Sequence, residues 1–97
     1  MSRRYDTLAR LGGDEFVVLL SETTDAEGTR AYAEKLRQLL TQPMRIGETD
    51  FEPRASIGFA CFPEHGESGE ALLAAADIAM YSAKQEGGNR VREARTA

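Results

Sequence analysis

Two short strand-like runs, Thr7-Leu8-Ala9-Arg10-Leu11 and Phe16-Val17-Val18-Leu19-Leu20, stand on either side of Gly12-Gly13-Asp14-Glu15. Such runs joined by a Gly-Gly turn predict a β-hairpin, because glycine reaches the positive φ angles that tight turns demand. The second run is apolar at successive positions, so both of its faces are expected to be covered. Thr24-Asp25-Ala26-Glu27 then has the form of a capping box, which predicts a following helix. Tyr32, Leu36, Leu39 and Leu40 recur at helical spacing, with Arg30, Glu34, Lys35 and Arg37 on other faces, until Pro43 ends the pattern.

Gly47-Glu48-Thr49-Asp50 predicts a turn between a short strand at 44–46 and a longer one over 51–62. Ala55, Ile57, Phe59 and Cys61 alternate there with Ser56, Gly58, Ala60 and Phe62, so both faces are small or apolar and the strand is expected to be central. Pro63 cannot donate to a ladder and closes it. Ser68 can cap a last helix whose apolar stripe is Leu72, Ala76, Ala79, Met80 and Ala83, and Gly87-Gly88 ends that helix. Val91 opens a short terminal strand. The order of hairpin, helix, hairpin and helix predicts an α/β (α+β) fold, helices packed on a mostly antiparallel sheet, in one domain over 1–97.

Hydrophobic residues at 41% and charged ones at 29% are an ordinary globular balance. A net charge of -4 argues against a partner held by general phosphate attraction, so a nucleic acid polymer is not expected and any phosphate ligand must meet a local cluster. The single cysteine, Cys61, sits in an apolar stretch and fits packing in a reducing compartment. No apolar run is long enough to cross a bilayer, and Met1-Ser2-Arg3-Arg4 leads into polar residues instead of a signal-peptide core. A soluble, cytoplasmic chain without membrane contact is expected.

Chemistry concentrates at the hairpin tip. Asp14 and Glu15 follow two glycines, where backbone can approach a ligand and carboxylates can project beyond the sheet. Two hard oxygen donors suit Mg²⁺, which prefers a few carboxylates plus substrate phosphates. An acidic turn in water has the same letters, and spacing alone leaves both readings open. His65, in a loop without a second His or Cys nearby, reads as a surface residue. Asp77 reads as a carboxylate hydrogen-bonded to a neighbouring element, and Met80 and Tyr81 as packing residues.

Four ordered segments decide between those readings. Arg10-Leu11-Gly12-Gly13-Asp14-Glu15-Phe16, Ser56-Ile57-Gly58, Ala76-Asp77-Ile78-Ala79-Met80-Tyr81, and Ala83-Lys84 leading to Gly87 and Asn89 together resemble the GGDEF domain, the diguanylate cyclase family. The resemblance implies a nucleotide-cyclase, ferredoxin-like palm that joins two GTP into cyclic di-GMP across a homodimer, with Mg²⁺ or Mn²⁺. It implies Asp14 as a metal ligand, Glu15 as metal ligand or activator of the hydroxyl, and Gly12 and Gly13 as the backbone against which the nucleotide lies. Lys84 is then a phosphate contact, a role an ammonium suits as a point charge. Arg3 and Asp6, with Lys35 as a further candidate, resemble the product-inhibition site that binds cyclic di-GMP.

The chain also departs from that family. Gly88 stands where many active cyclases have a phosphate-holding arginine, a replacement common in domains fused to a phosphodiesterase module. The family's first strand, with another metal-binding Asp, and its guanine-reading helix do not precede Arg3, so the chain reads as the C-terminal portion of a domain, and on its own is not expected to make cyclic di-GMP. By resemblance that strand lies between 16–20 and 51–62. Its absence predicts dimerisation, strand exchange or direct closure of the gap.

Overall fold

The computed structural model describes residues 7–21, 26–62 and 64–95. Eight elements follow one another: β1 (Thr7–Arg10), β2 (Glu15–Ser21), α1 (Ala26–Leu40), β3 (Met44–Ile46), β4 (Thr49–Phe51), β5 (Ser56–Phe62), α2 (Gly69–Gln85) and β6 (Val91–Glu93). The main sheet has four strands in the order β1-β2-β5-β6, and β3 and β4 form a separate ribbon.

The antiparallel expectation holds for the two hairpins, β1 with β2 and β3 with β4. It does not hold for the middle of the main sheet, where β2 pairs in parallel with β5 and β5 in parallel with β6. β2 and β5 are in register from Glu15 opposite Ser56 to Ser21 opposite Phe62, so the two strands pair directly with each other within the chain. Buried backbone donors and acceptors on both strands are thereby satisfied within the chain.

Each of these strands divides its side chains between two layers. Val18, Leu20, Ile57, Phe59 and Cys61 point to one face, where Ala33 of α1 is buried and Leu36 and Leu40 pack. Val17 and Ala60 point to the other, against Leu72, Ala76 and Met80 of α2. Strands covered on both faces are apolar at every position, the pattern the sequence shows. The α2 stripe is buried as expected, Ser68 Oγ accepts from the Ala71 amide at 3.1 Å as N-cap, and Cys61 is buried. On the same α2 face Gly58 has no room for a side chain: a Cβ there would stand 2.0 Å from the Ala76 carbonyl oxygen and 2.3 Å from the Met80 amide nitrogen.

Other expectations need correction. The strand over 51–62 is broken at 52–55, where Pro53 withholds a backbone donor, so only Ser56–Phe62 joins the main sheet. The buried side of α1 centres on Ala33, Leu36 and Leu40, which leaves Leu39 61% and Tyr32 41% exposed. Tyr81 is 60% exposed, and Asp77 stands on the outer side of α2, not against a neighbouring element. His65 is no surface residue: its side chain is 3% exposed. Its amide donates to Cys61 O at 2.9 Å, which folds the ring back over the strand end, where Nδ1 accepts from the Cys61 amide at 2.8 Å. Thr24 and Pro63 lie outside the described residues. Among the described residues no helix is long and apolar enough to cross a membrane.

Candidate functional site

The hairpin apex is shaped by its own backbone and by Arg10. Leu11 N–H donates to Glu15 O at 2.7 Å, closing the turn. The Arg10 guanidinium reaches along it, Nε to Gly12 O at 2.9 Å and Nη2 to Gly13 O at 3.0 Å. Gly12 and Gly13 are not among the residues with positive φ, so the turn does not need glycine for its backbone angles, contrary to the sequence expectation. A Cβ at Gly13 would meet nothing within 4 Å, and one at Gly12 would meet first the carboxylate end of Glu15. Folding alone therefore makes little demand for two glycines here. Close approach of a ligand to the backbone supplies a reason that internal packing does not.

Parallel pairing brings the start of β5 beside this apex. The Ser56 amide donates to Asp14 O at 2.7 Å, fixing the acidic residue to a buried strand. The end of α2 arrives at the same edge of the sheet. Lys84 Nζ lies 3.0 Å from Glu15 Oε2 and 3.3 Å from Asp14 Oδ1, so residues 69 and 70 positions apart meet in one cluster. Hydrogen bonds to Glu15 and then to Asp14 hold the Lys84 ammonium above its usual 10.5. A raised lysine stays charged at every pH below that value, so at neutral pH the two carboxylates share a full positive charge.

The loop after α2 is locked to the same place. Gly88 N–H donates to Ala83 O at 2.9 Å and Gly87 N–H to Lys84 O at 3.1 Å, a Schellman stop with φ of 116° at Gly87. Asn89, at φ 55°, accepts from the Ala55 amide through Oδ1 at 3.3 Å, while its own amide donates to the hydroxyl of fully buried Ser56 at 3.2 Å. Arg54 Nη2 donates to Gly87 O at 2.9 Å. An open groove of about 720 Å³ runs from Gly13 and Asp14 between Arg10 and Arg54 to an apolar floor that includes Phe16 and Phe51.

Of the residues singled out in the sequence, the fold thus brings together Gly12, Gly13, Asp14, Glu15 and Lys84. Lys35 stands exposed on α1, outside the apex cluster, and Arg3 and Asp6 lie outside the described residues. Sequence reasoning gave no role to Arg10, Arg54 or the Asn89 clamp. Arg10 had a local signal, a cation two residues before the turn it binds; Arg54 had none, because only the fold sets it beside residue 87.

Among the described residues no three His, Cys, Asp or Glu side chains cluster. The donor pair nevertheless fits a hard divalent cation: Asp14 and Glu15 already converge on one cation, the Lys84 ammonium, and Mg²⁺ completes its shell from substrate oxygens and water.

Known proteins resemble this chain over most of its length. The family described as "Diguanylate cyclase, GGDEF domain" matches residues 1–90. A bifunctional diguanylate cyclase/cyclic di-GMP phosphodiesterase, MucR of Pseudomonas aeruginosa, is 44% identical over 87 residues, 90% of this chain and 13% of that protein. The diguanylate cyclase TpbB of the same species is 37% identical over 94 residues, 94% of this chain and 22% of that protein. An X-ray structure of an EAL/GGDEF domain protein from M. capsulatus superposes with a TM-score of 0.72 at 37% identity, covering 93% of this chain and 58% of that one. The chain therefore spans a small part of the curated relatives it matches.

Proposed function

The chain belongs to the GGDEF family of diguanylate cyclase domains, and on that premise we propose that its apex serves the joining of two GTP molecules into cyclic di-GMP. Family membership places the chain in cyclic di-GMP chemistry. The observation that carries the finer reading is the convergence of Asp14, Glu15 and Lys84 within 3.3 Å at the end of a sheet, beside two glycines that the backbone itself does not require.

In this reading Asp14 and Glu15 hold Mg²⁺ or Mn²⁺. Bound there, the cation would neutralise charge on the phosphates and help align the reacting oxygens. Gly12 and Gly13 leave room for the nucleotide against the turn, whose backbone Arg10 keeps rigid. Lys84 turns from the carboxylates to the phosphate oxygens. Two such chains face each other as a homodimer, so that each GTP 3′-hydroxyl attacks the α-phosphorus of the other and pyrophosphate leaves, with Glu15 as candidate acceptor of the hydroxyl proton. Arg3 and Asp6, with Lys35, are the proposed product-binding group.

We place the parent in the cytoplasm and propose that this chain alone binds nucleotide without completing the reaction. A second reading, a module that binds GTP or cyclic di-GMP without turnover, is favoured by Gly88, which offers no side chain beside the apex. Calorimetry with the purified chain separates them. Mg²⁺-dependent GTP binding that Asp14→Ala abolishes supports the cyclase site; cyclic di-GMP binding without GTP binding supports the module. Cyclic di-GMP made by this chain from GTP at the rate of a full-length cyclase would refute the proposal that it does not complete the reaction.

A further inference from the structure

Position 88 carries nothing but hydrogen beside Ser56 and Arg54. A Cβ there would lie 3.6 Å from Arg54 Nη2 and 3.3 Å from Ser56 Oγ, so the Arg54 guanidinium stands in the space into which a side chain at 88 would grow. Arg54 reaches that space from the other side of the site, from the loop before β5. Among the described arginines it shares three features with Arg10 alone, and Arg10 already spends two of its donors on the turn at Gly12 and Gly13. Its one hydrogen bond is to a carbonyl, Gly87 O, whereas Arg30, Arg37, Arg45, Arg90 and Arg92 each meet a carboxylate. It is exposed, and so open to a ligand. It lines the same groove as Gly13 and Asp14, where Glu52 is the other acidic residue.

A guanidinium has five N–H donors in a planar fork, and the bond to Gly87 O uses one. The bond fixes the side chain beside residue 87 without neutralising it. Lys84, by contrast, is engaged by both carboxylates until another cation takes its place. We propose that Arg54 is the second phosphate-binding cation of this site, acting from the loop before β5 in place of the side chain that position 88 lacks. The proposal rests on the GTP reading above and adds to it a contact supplied by a different loop.

The test uses two variants, with calorimetry and thermal melting of the chain in Mg²⁺. Arg54→Gln keeps a donor for Gly87 O and removes the charge; Arg54→Lys restores the charge without the fork. Arg54→Gln is expected to weaken GTP binding about tenfold, as loss of one charge-assisted contact does, with a smaller effect on GMP, which has fewer phosphates. Arg54→Lys is expected to recover part of the loss, and both variants to melt as the parent does. Unchanged GTP affinity in Arg54→Gln overturns the proposal and leaves the GTP site standing. Equal losses for GTP and GMP with a lowered melting point also overturn it, because Arg54 then only anchors the loop at 87. A parent chain that binds no GTP overturns both this proposal and the reading beneath it.

Discussion

Gly58 of β5 and Ala76 of α2 meet backbone to backbone, with 2.0 Å between the Ala76 carbonyl oxygen and the place a Cβ on residue 58 would take. The contact sets how closely α2 lies on the sheet, and through its last turn where Lys84 meets the hairpin. Gly58→Ala is expected to cost about 3 kcal/mol, since backbone on both sides must move. Urea unfolding of the variant measures it; a loss below about 0.5 kcal/mol, the range of an ordinary surface change, would show that the helix yields freely.

Gly13 should behave oppositely. It has open space around it and no positive φ, so Gly13→Ala is expected to change stability by less than about 0.5 kcal/mol while weakening Mg²⁺-dependent GTP binding. Melting and calorimetry on the same sample check both halves. A variant that binds GTP as tightly as the parent contradicts the backbone role given to this turn.

Lys84→Met separates the two partners of the ammonium. With no nucleotide present, the carboxylates of Asp14 and Glu15 lose their resident cation, so Mg²⁺ binding should tighten. With GTP the sign reverses and affinity falls, because a phosphate contact is gone. Titration of Mg²⁺ with and without GTP reads both signs, and parallel changes in the two titrations would discard the exchange of partners.

Asn89 combines a left-handed backbone with a side-chain bond to the Ala55 amide. Asn89→Ala is expected to lose about 1–3 kcal/mol from strain and an unpaired donor, and Asn89→Gly to regain the part due to strain. Equal stabilities of the two variants in chemical denaturation would remove the backbone from the account.

Much of this was readable from the chain in order. The α2 stripe, its Ser68 cap and its glycine stop are local signals with local causes, and they fall where the pattern put them. So do the β1–β2 hairpin and the terminal strand at Val91, although the glycines at the hairpin tip take none of the positive φ angles foreseen for them. What the pattern missed depends on neighbours distant in sequence. Leu39 and Leu36 look alike to a helical period, and only the sheet beneath α1 selects between them. His65 is isolated in sequence and buried in space because the chain folds back over the end of β5. The parallel pairing of β2 with β5 joins strands separated by a helix and a ribbon, and periodicity within either strand does not reveal its neighbour. The same pairing hides Arg54 from sequence reading while placing it beside the apex.

Asp14 holds two positions at once: its side chain meets Lys84 at the apex, and its carbonyl oxygen accepts the Ser56 amide at 2.7 Å. Occupancy at the tip and solvent protection inside the sheet are therefore linked through one residue. The exchange rate of the Ser56 amide with deuterium becomes an internal gauge of whether a nucleotide is present, readable with no product formed and no label attached.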